Sequence, residues 1–465
     1  MGSDDGLVNM SKDGGKNWTN VTPQGLPKWA MINSIEPDPH NDGGCYLAAT
    51  LYKAGDFRPY LYKTSNYGQT WTKIVSGIQN DHFTRVIRVD PVKEGILYAG
   101  TETGMYVSFD DGSNWQSFQM NLPVVPITDL TVKDNNLIAA TQGRSIWMVD
   151  DLTVLHQMNS DVAKAKTHLF KPMDSYRMGG SQNKKVKNAG MNHPGGVMVN
   201  YNLRDTSLLK DVALSFYEAD GDLIATYSTT SKEKKNKLTV KEGSNQFVWN
   251  MNYPDTEKFD GMILWWGSLT GPKAIPGDYK VMLTVDGVEQ TQDFKILQDP
   301  RSDVPLASMQ QQFTFVKSLS DKLNETHQTI KDIRQVRDQL DNYKKLVGDQ
   351  EGMEDVLKLA EEINEKMTKV EEALYQTKNR SRQDPLNFPV RLNNKLAHLN
   401  SLIQGSDFPP TEQMKEVRDE ITRQIDSELA TFQQIIGTDL PKFNQQVKER
   451  SIDAIILKKK EVDLN

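Results

Sequence analysis

The chain is poor in the features that mark chemistry. A single cysteine, Cys45, stands among 465 residues. That rules out an intrachain disulfide framework and fits a cytosolic protein and a bacterial exported one equally well. The seven histidines, at 40, 82, 156, 168, 193, 327 and 398, show no ligand-like spacing to one another or to Cys45. No metal site and no cofactor is therefore expected. Walker loops, dinucleotide fingerprints and Gly-x-Ser-x-Gly elbows are missing. No apolar run approaches the roughly 18 residues of a membrane helix, and no signal peptide is recognisable. An excess of positive charge is lacking too. Fifty-five Lys and Arg against 62 Asp and Glu leave a net charge of −7, which argues against nucleic acid as the main partner. What remains is an ordinary globular composition, 37% hydrophobic and 25% charged, in a chain long enough for roughly two to four domains.

What is present is a repeat. "SKDGGKNW", "TSNYGQTW" and "SFDDGSNW" begin at residues 11, 64 and 108. They share Ser11, Asp13, Gly15 and Trp18; Thr64, Asn66, Gly68 and Trp71; Ser108, Asp110, Gly112 and Trp115. The starts are 53 and 44 residues apart, and a period of roughly 45 is that of a four-stranded propeller blade. The chemistry reads as a turn. An Asp or Asn carboxyl or amide oxygen bonds nearby backbone N–H groups, glycine supplies positive φ, and a tryptophan after the turn buries a large area. The flanks, such as "PYLYKT" and "WTKIV", are short and rich in β-branched and aromatic residues, so each motif joins two strands of a hairpin. A calcium loop would need more carboxylates and a downstream Glu.

These octapeptides resemble the Asp-box, or bacterial neuraminidase repeat, in which the box is a structural turn at a blade edge. "LYAGTETGMYVSFDDGSNWQSF" and "GRSIWMVDD" are similar to the final blades of large exported Asp-box propeller proteins of Bacteroidetes, of sortilin-like or "glycosyl hydrolase" type. The resemblance implies a many-bladed propeller followed by a β-sandwich and helices. It also implies export to the periplasm or surface of a Gram-negative cell. On this reading the chain is the C-terminal part of a longer protein, since "GLVNMS" enters in mid-blade.

The expected fold is multidomain. Residues 1–157 would hold the last three to four blades, one of them partial. Residues 158–300 would form an immunoglobulin- or fibronectin-like β-sandwich, because short alternating strands are separated by hairpin signals such as "ADGD" and "VDGV". Residues 301–465 would form a helical bundle. Met353, Val356, Ala360, Ile363, Met367, Val370 and Leu374 make a heptad seam, part of a helical hairpin. A helix near Pro389 to Ile403 follows, then one capped by Thr411 and carrying Met414, Val417, Ile421, Ile425, Leu429 and Phe432.

Two constellations bear on function. Glycoside hydrolysis needs paired carboxylates. Glu102, Asp110, Asp111, Asp150 and Asp151 are available but cannot be paired from the sequence. A sialidase would also need an arginine cluster, for which Arg58, Arg85, Arg88 and Arg144 are the candidates. Inter-blade ion pairs are the plainer reading of these arginines. "MILWWGSL" (262–269) sets Trp265 beside Trp266. On a strand their rings would point to opposite faces, one toward the core and one toward a ligand or a neighbouring domain. The expectation is a non-catalytic interaction or scaffolding segment. Its partners would be the N-terminal remainder of the propeller, in the same or a separate chain, another envelope protein, or a carbohydrate. The alternative is the end of a polysaccharide hydrolase whose catalytic carboxylates lie upstream.

Overall fold

The computed structural model describes residues 1–180, 190–207, 209–348 and 350–450; 451–465 of the expected helical region lie outside them. The chain divides into two compact units, Met1–Met173 and Asp174–Asn465.

The first unit is a succession of antiparallel meanders. β1 (Asn9–Met10) pairs with β2 (Thr19–Asn20). β3 (Met31–Pro37), β4 (Cys45–Leu51), β5 (Asp56–Thr64) and β6 (Thr72–Lys73) form a four-stranded sheet in that order. β7 (Thr84–Val89), β8 (Leu97–Thr101), β9 (Gly104–Ser108) and β10 (Gln116–Ser117) form the next. β11 (Ile127–Lys133), β12 (Asn136–Thr141) and β13 (Ile146–Val149) form the last. The sequence led us to expect one partial and about three full blades. Two sheets have four strands, and the last has three among the described residues.

The blades repeat in detail. Each first strand carries a bulge near its start, at Ile32/Ser34, Thr84/Val86 and Ile127/Asp129. Each second strand ends on the same pattern, "LAAT", "YAGT" and "IAAT". β4 and β8 are buried on both faces, so alternate residues serve different cores. Leu47 and Ala49 of β4 pack with Val8, Tyr60 and Tyr62. Tyr46 and Ala48 pack instead with Leu61, Ile87, Leu97 and Trp115. Small residues there let the sheets approach: a Cβ on Gly100 would lie 2.6 Å from Val86 Cγ1 and 2.7 Å from Ile127 Cγ2. Short helices α1 (Thr153–Gln157) and α2 (Ser160–Lys164) and strand β14 (Thr167–Leu169) follow.

In the second unit β15 (Ser175–Tyr176), β17 (Val212–Glu218), β18 (Leu223–Ser228), β20 (Gly277–Val285) and β21 (Val288–Leu297) make a five-stranded sheet, ordered β15-β21-β20-β17-β18. β16 (Val197–Leu203) pairs with β19 (Gly243–Trp249) in a second sheet. Phe216 of β17 stacks on Trp249 of β19 at 4.6 Å, so the two sheets share an aromatic core. Asp286 (φ 48°) and Gly287 (φ 87°) turn the β20–β21 hairpin at "VDGV", as two-residue hairpins demand.

The helices are α3 (Leu306–Val347), α4 (Glu354–Leu374), α5 (Leu392–Ile403), α6 (Glu412–Gln434) and α7 (Leu440–Glu449). A π-helical stretch, Ile435–Asp439, joins the last two. Val356, Ala360, Ile363, Met367, Val370 and Leu374 are buried in the bundle core. The Thr411 hydroxyl accepts from Met414 N at 3.2 Å and caps α6. Sheets and helices beyond residue 174 belong to one compact unit, where two domains were expected. The irregular 251–275 stretch accounts for this, because side chains of α3 and α5 hydrogen-bond its backbone. Asn324 Oδ1 accepts from Glu257 N at 2.8 Å, and Asn400 Nδ2 donates to Ser268 O and Thr270 O at 3.1 and 3.0 Å.

Candidate functional site

The three turns are built alike. In the third, the Ser108 hydroxyl donates to Asp110 Oδ1 (2.9 Å) and accepts from Gly112 N (2.9 Å). Asp110 accepts from both the backbone and the side chain of Asn114, each at 2.8 Å. In the second, Gly68 N donates to the Thr64 hydroxyl and Thr70 N to Asn66 Oδ1, each at 3.0 Å. In the first, Gly15 N donates to Ser11 Oγ at 2.8 Å and Asn17 N to Asp13 Oδ1 at 2.9 Å. These donors stabilise the ionised carboxylate. Backbone and side chain of Asn17, then Ser11, lower the Asp13 pKa to about 2. At Asp110 burial pushes the other way, and the bonds from Asn114 and Ser108 outweigh it.

The tryptophans show what the turn does. Trp71 Nε1 donates to Val21 O at 2.7 Å, and Trp115 Nε1 donates to Ile74 O at 2.8 Å. Val21 is the third residue after Trp18, and Ile74 the third after Trp71. The second and third boxes therefore bond the preceding blade at one fixed position. The box glycines make the same approach. A Cβ on Gly68 would lie 2.7 Å from Val21 Cβ, and one on Gly112 would lie 2.7 Å from Ile74 Cδ1.

Trp18 departs from this pattern. Where burial was expected, its ring is 48% exposed, against 5% for Trp115. Its Nε1 turns back to its own Gly15 O at 3.0 Å. A Cβ on Gly15 would meet nothing closer than Trp18 Cζ2 at 3.6 Å. The bonding partner of a box tryptophan lies on the sheet before it, and among the described residues no sheet precedes β1–β2. Trp18 and Val8 line a cavity of about 430 Å³ with Ile35, Tyr67 and Trp71, on the side of the following sheet β3–β6.

Apart from Asp150, which follows β13, the acids and arginines singled out in the sequence are engaged elsewhere. Arg85 Nε donates to Glu102 Oε2 at 2.6 Å, and Arg58 pairs with Asp56 at 2.6 Å. Asp111 accepts from the Tyr46 hydroxyl and Lys63 Nζ. Asp110 belongs to its box, and Asp151 Oδ1 accepts from Thr153 N at 2.8 Å. Arg144 Nη1 donates to Gly143 O at 2.9 Å. Arg88 spans three blades. It donates to Ser34 Oγ (3.0 Å) and Asp129 Oδ1 (2.7 Å), with Glu36 at 3.5 Å. Burial raises the Glu36 pKa, and Arg88 offsets part of that. Sequence reasoning missed this cluster, since its members are brought together only by blade stacking.

A second group joins the β7–β8 loop, β8 and α1. Asp90 is fully buried. Its carboxylate accepts from Val92 N and Lys93 N (both 2.9 Å) and the Tyr98 hydroxyl (2.8 Å), with His156 Nε2 at 2.9 Å. Among the described residues no group of His, Cys, Asp and Glu could hold a metal ion, and no helix is long and apolar enough to cross a membrane.

Residues 262–269 are irregular, not a strand. Trp266 has φ of +54°, so the two rings stack at 6.2 Å and 25° instead of pointing apart. Trp266 is 73% exposed. Both rings line one groove with residues of α5 and α6.

No protein-family model matches the chain, and no curated protein matches it in sequence. Among solved structures it is similar to YCF48 bound to a D1 peptide. Identity is 19% over 32% of this chain and 46% of that one, with a TM-score of 0.26. YCF48 from Cyanidioschyzon merolae gives 13%, 31%, 47% and 0.24. A GH74 xyloglucanase from Xanthomonas campestris gives 14%, 65%, 54% and 0.27. These are β-propeller-type folds, and the chain spans about half of their length. At such scores the likeness assigns no residue and no activity.

Proposed function

We propose that this chain is an interaction segment of an exported Asp-box propeller protein, and that its open β1–β2 edge receives a further blade, in the same or a separate polypeptide. Trp18 carries this reading. Two successive boxes hand their indole N–H and their glycine to the sheet before them, and the first box has the same residues with neither contact. Covering Trp18 would add roughly 2 to 3 kcal/mol, about half the burial of a whole indole. The blade received would present a backbone carbonyl and a β-branched side chain where Val21 and Ile74 stand. We assign the two-sheet body after residue 174 to the immunoglobulin-like sandwich class, and the cell envelope as the setting, the latter on the sequence resemblance. The second reading is the end of a polysaccharide hydrolase with its acid and base upstream, since Glu102, Asp110, Asp111 and Asp151 are engaged in turns and blades and leave only Asp150 of the acids singled out.

A photo-reactive benzoylphenylalanine at position 18, in the cells that make the protein, is expected to capture a strand three residues past an Asp-box tryptophan. Cross-links confined to residues 1–173 would refute the reading. So would a well-folded monomer whose polypeptide starts at Met1.

A further inference from the structure

The groove under Trp266 has two chemically different halves. In the first, Trp265, Trp266, Val390, Leu402, Val417 and Ile421 surround about 420 Å³. Leu402 is 53% and Val417 46% exposed, although Val417 belongs to the apolar series of α6 that otherwise faces the core. Three polar side chains near the rings are already engaged. Asn394 Oδ1 accepts from Trp265 N at 2.6 Å, and its Nδ2 donates to Trp265 O at 2.9 Å. Ser401 Oγ donates to Trp266 O at 2.9 Å, and His398 Nδ1 lies 3.0 Å from the same oxygen. Those bonds hold the Trp pair on α5 and leave a surface that offers apolar contact.

The second half adjoins the first, sharing Val390 and Lys395, and encloses about 510 Å³. Arg391, Lys395, Arg423 and one carboxylate, Glu428, line it. Arg423 pairs with Glu420. Among the described residues neither Arg391 nor Lys395 has a carboxylate partner. From Val417 to Glu428 the two halves follow α6 for about 16 Å, some three helical turns.

We infer that this groove docks an acidic amphipathic helix of a partner protein, its apolar face on Trp265, Trp266 and Val417 and its carboxylates on Arg391 and Lys395. The length fits a helix of three turns with anchors at i, i+3 or i+4, and i+7. Charge selects the partner: three cations outnumber the single carboxylate of Glu428 in this half, and with Arg423 paired to Glu420, Arg391 and Lys395 favour acidic side chains over basic ones. A sugar would stack on the indoles but would need several hydrogen-bonding groups around them, and Asn394 and Ser401 are spent on the Trp265 and Trp266 backbone, which leaves chiefly the cation of Lys395, a better match for a carboxylate. The proposal concerns a different surface from the blade edge and stands apart from it.

The test is selection of a displayed library of 14-residue peptides on the full chain. The expected winners combine apolar residues at helical spacing with Asp or Glu, and bind more weakly as salt rises. Trp266→Ala should weaken the best peptide by about tenfold or more, as for an aromatic anchor. Lys395→Glu, at an exposed site that leaves the core untouched, should weaken it several-fold and reduce its salt dependence. Winners without acidic residues, or binding indifferent to both substitutions, would overturn the proposal. Saturable quenching of Trp265 and Trp266 by neutral oligosaccharides, with no peptide selected, would replace it with a sugar site. A dimer that Trp266→Ala dissociates would replace it with a second copy.

Discussion

Alanine at the three box glycines separates the cost of the turn from the cost of blade contact. All three glycines have positive φ: 91° at Gly15, 77° at Gly68 and 81° at Gly112. A Cβ in that region costs roughly 1 to 2 kcal/mol. The lower chain entropy of alanine in the unfolded state is common to the three sites and drops out of the comparison. Gly15→Ala meets no neighbouring sheet and should cost only that turn strain. At Gly68 the new carbon would sit 2.7 Å from Val21 Cβ, an atom that cannot move without its backbone. At Gly112 it would sit 2.7 Å from Ile74 Cδ1 and 3.2 Å from Ile74 Cβ. Overpacking of this kind adds roughly 1 to 3 kcal/mol. Gly68→Ala and Gly112→Ala should therefore lose roughly 2 to 5 kcal/mol, with Gly68 the worse of the two. Amide hydrogen exchange on the full chain, followed in the peptides around each box, reads the local opening free energy without assuming that the units unfold together. Equal losses at all three positions would show that the boxes are isolated turns, and the argument from Trp18 would fall with it.

The box tryptophans should divide in the same way. Trp115→Phe leaves a buried Ile74 carbonyl without its donor and should cost roughly 1 to 3 kcal/mol in denaturant melts, whereas Trp18→Phe should be nearly silent. Glu371, 3% exposed, is held by Arg334 and Arg337 at 2.7 and 2.6 Å. Glu371→Ala should lower bundle stability by roughly 3 kcal/mol, read as loss of helical circular dichroism on heating. His327 is fully buried beside Phe259, and burial lowers its pKa to about 4 while the Glu257 carbonyl 2.7 Å from Nδ1 opposes that. The unfolded chain takes up a proton near pH 6.5 that the folded chain refuses until about pH 4. Stability is thus full above pH 6.5 and falls as the pH drops toward 4, by about 3 kcal/mol in all. The gap in melting temperature between the native protein and His327→Gln should shrink from pH 7 to pH 5; a constant gap would contradict it.

Much of the architecture is written locally. Ser108 to Asn114 spans seven residues and contains nearly all of its turn's hydrogen bonds, so three boxes announce three hairpins before any fold is known. Asp286-Gly287 and the heptad of α4 are legible for the same reason, as is Thr411, whose hydroxyl bonds a backbone N–H three residues on. Signals of this kind depend on neighbours in the chain, which are near in every conformation. Trp71 reaches Val21 across 50 residues and Trp115 reaches Ile74 across 41, so only the stacked sheets reveal that one box is unused. Arg88 finds Glu36 and Asp129 on two other blades. Val417 has the spacing of its core neighbours, yet the end of α5 and the irregular 262–269 stretch leave it in a groove. The Trp pair was misread as part of a strand because apolar runs look alike whether paired or not. Asn394, Asn400, His398 and Ser401 of α5 take the hydrogen bonds that a neighbouring strand would have supplied. Local bonding chose the turns and the helices; the contacts between elements far apart in the chain decided which aromatic faces were left open.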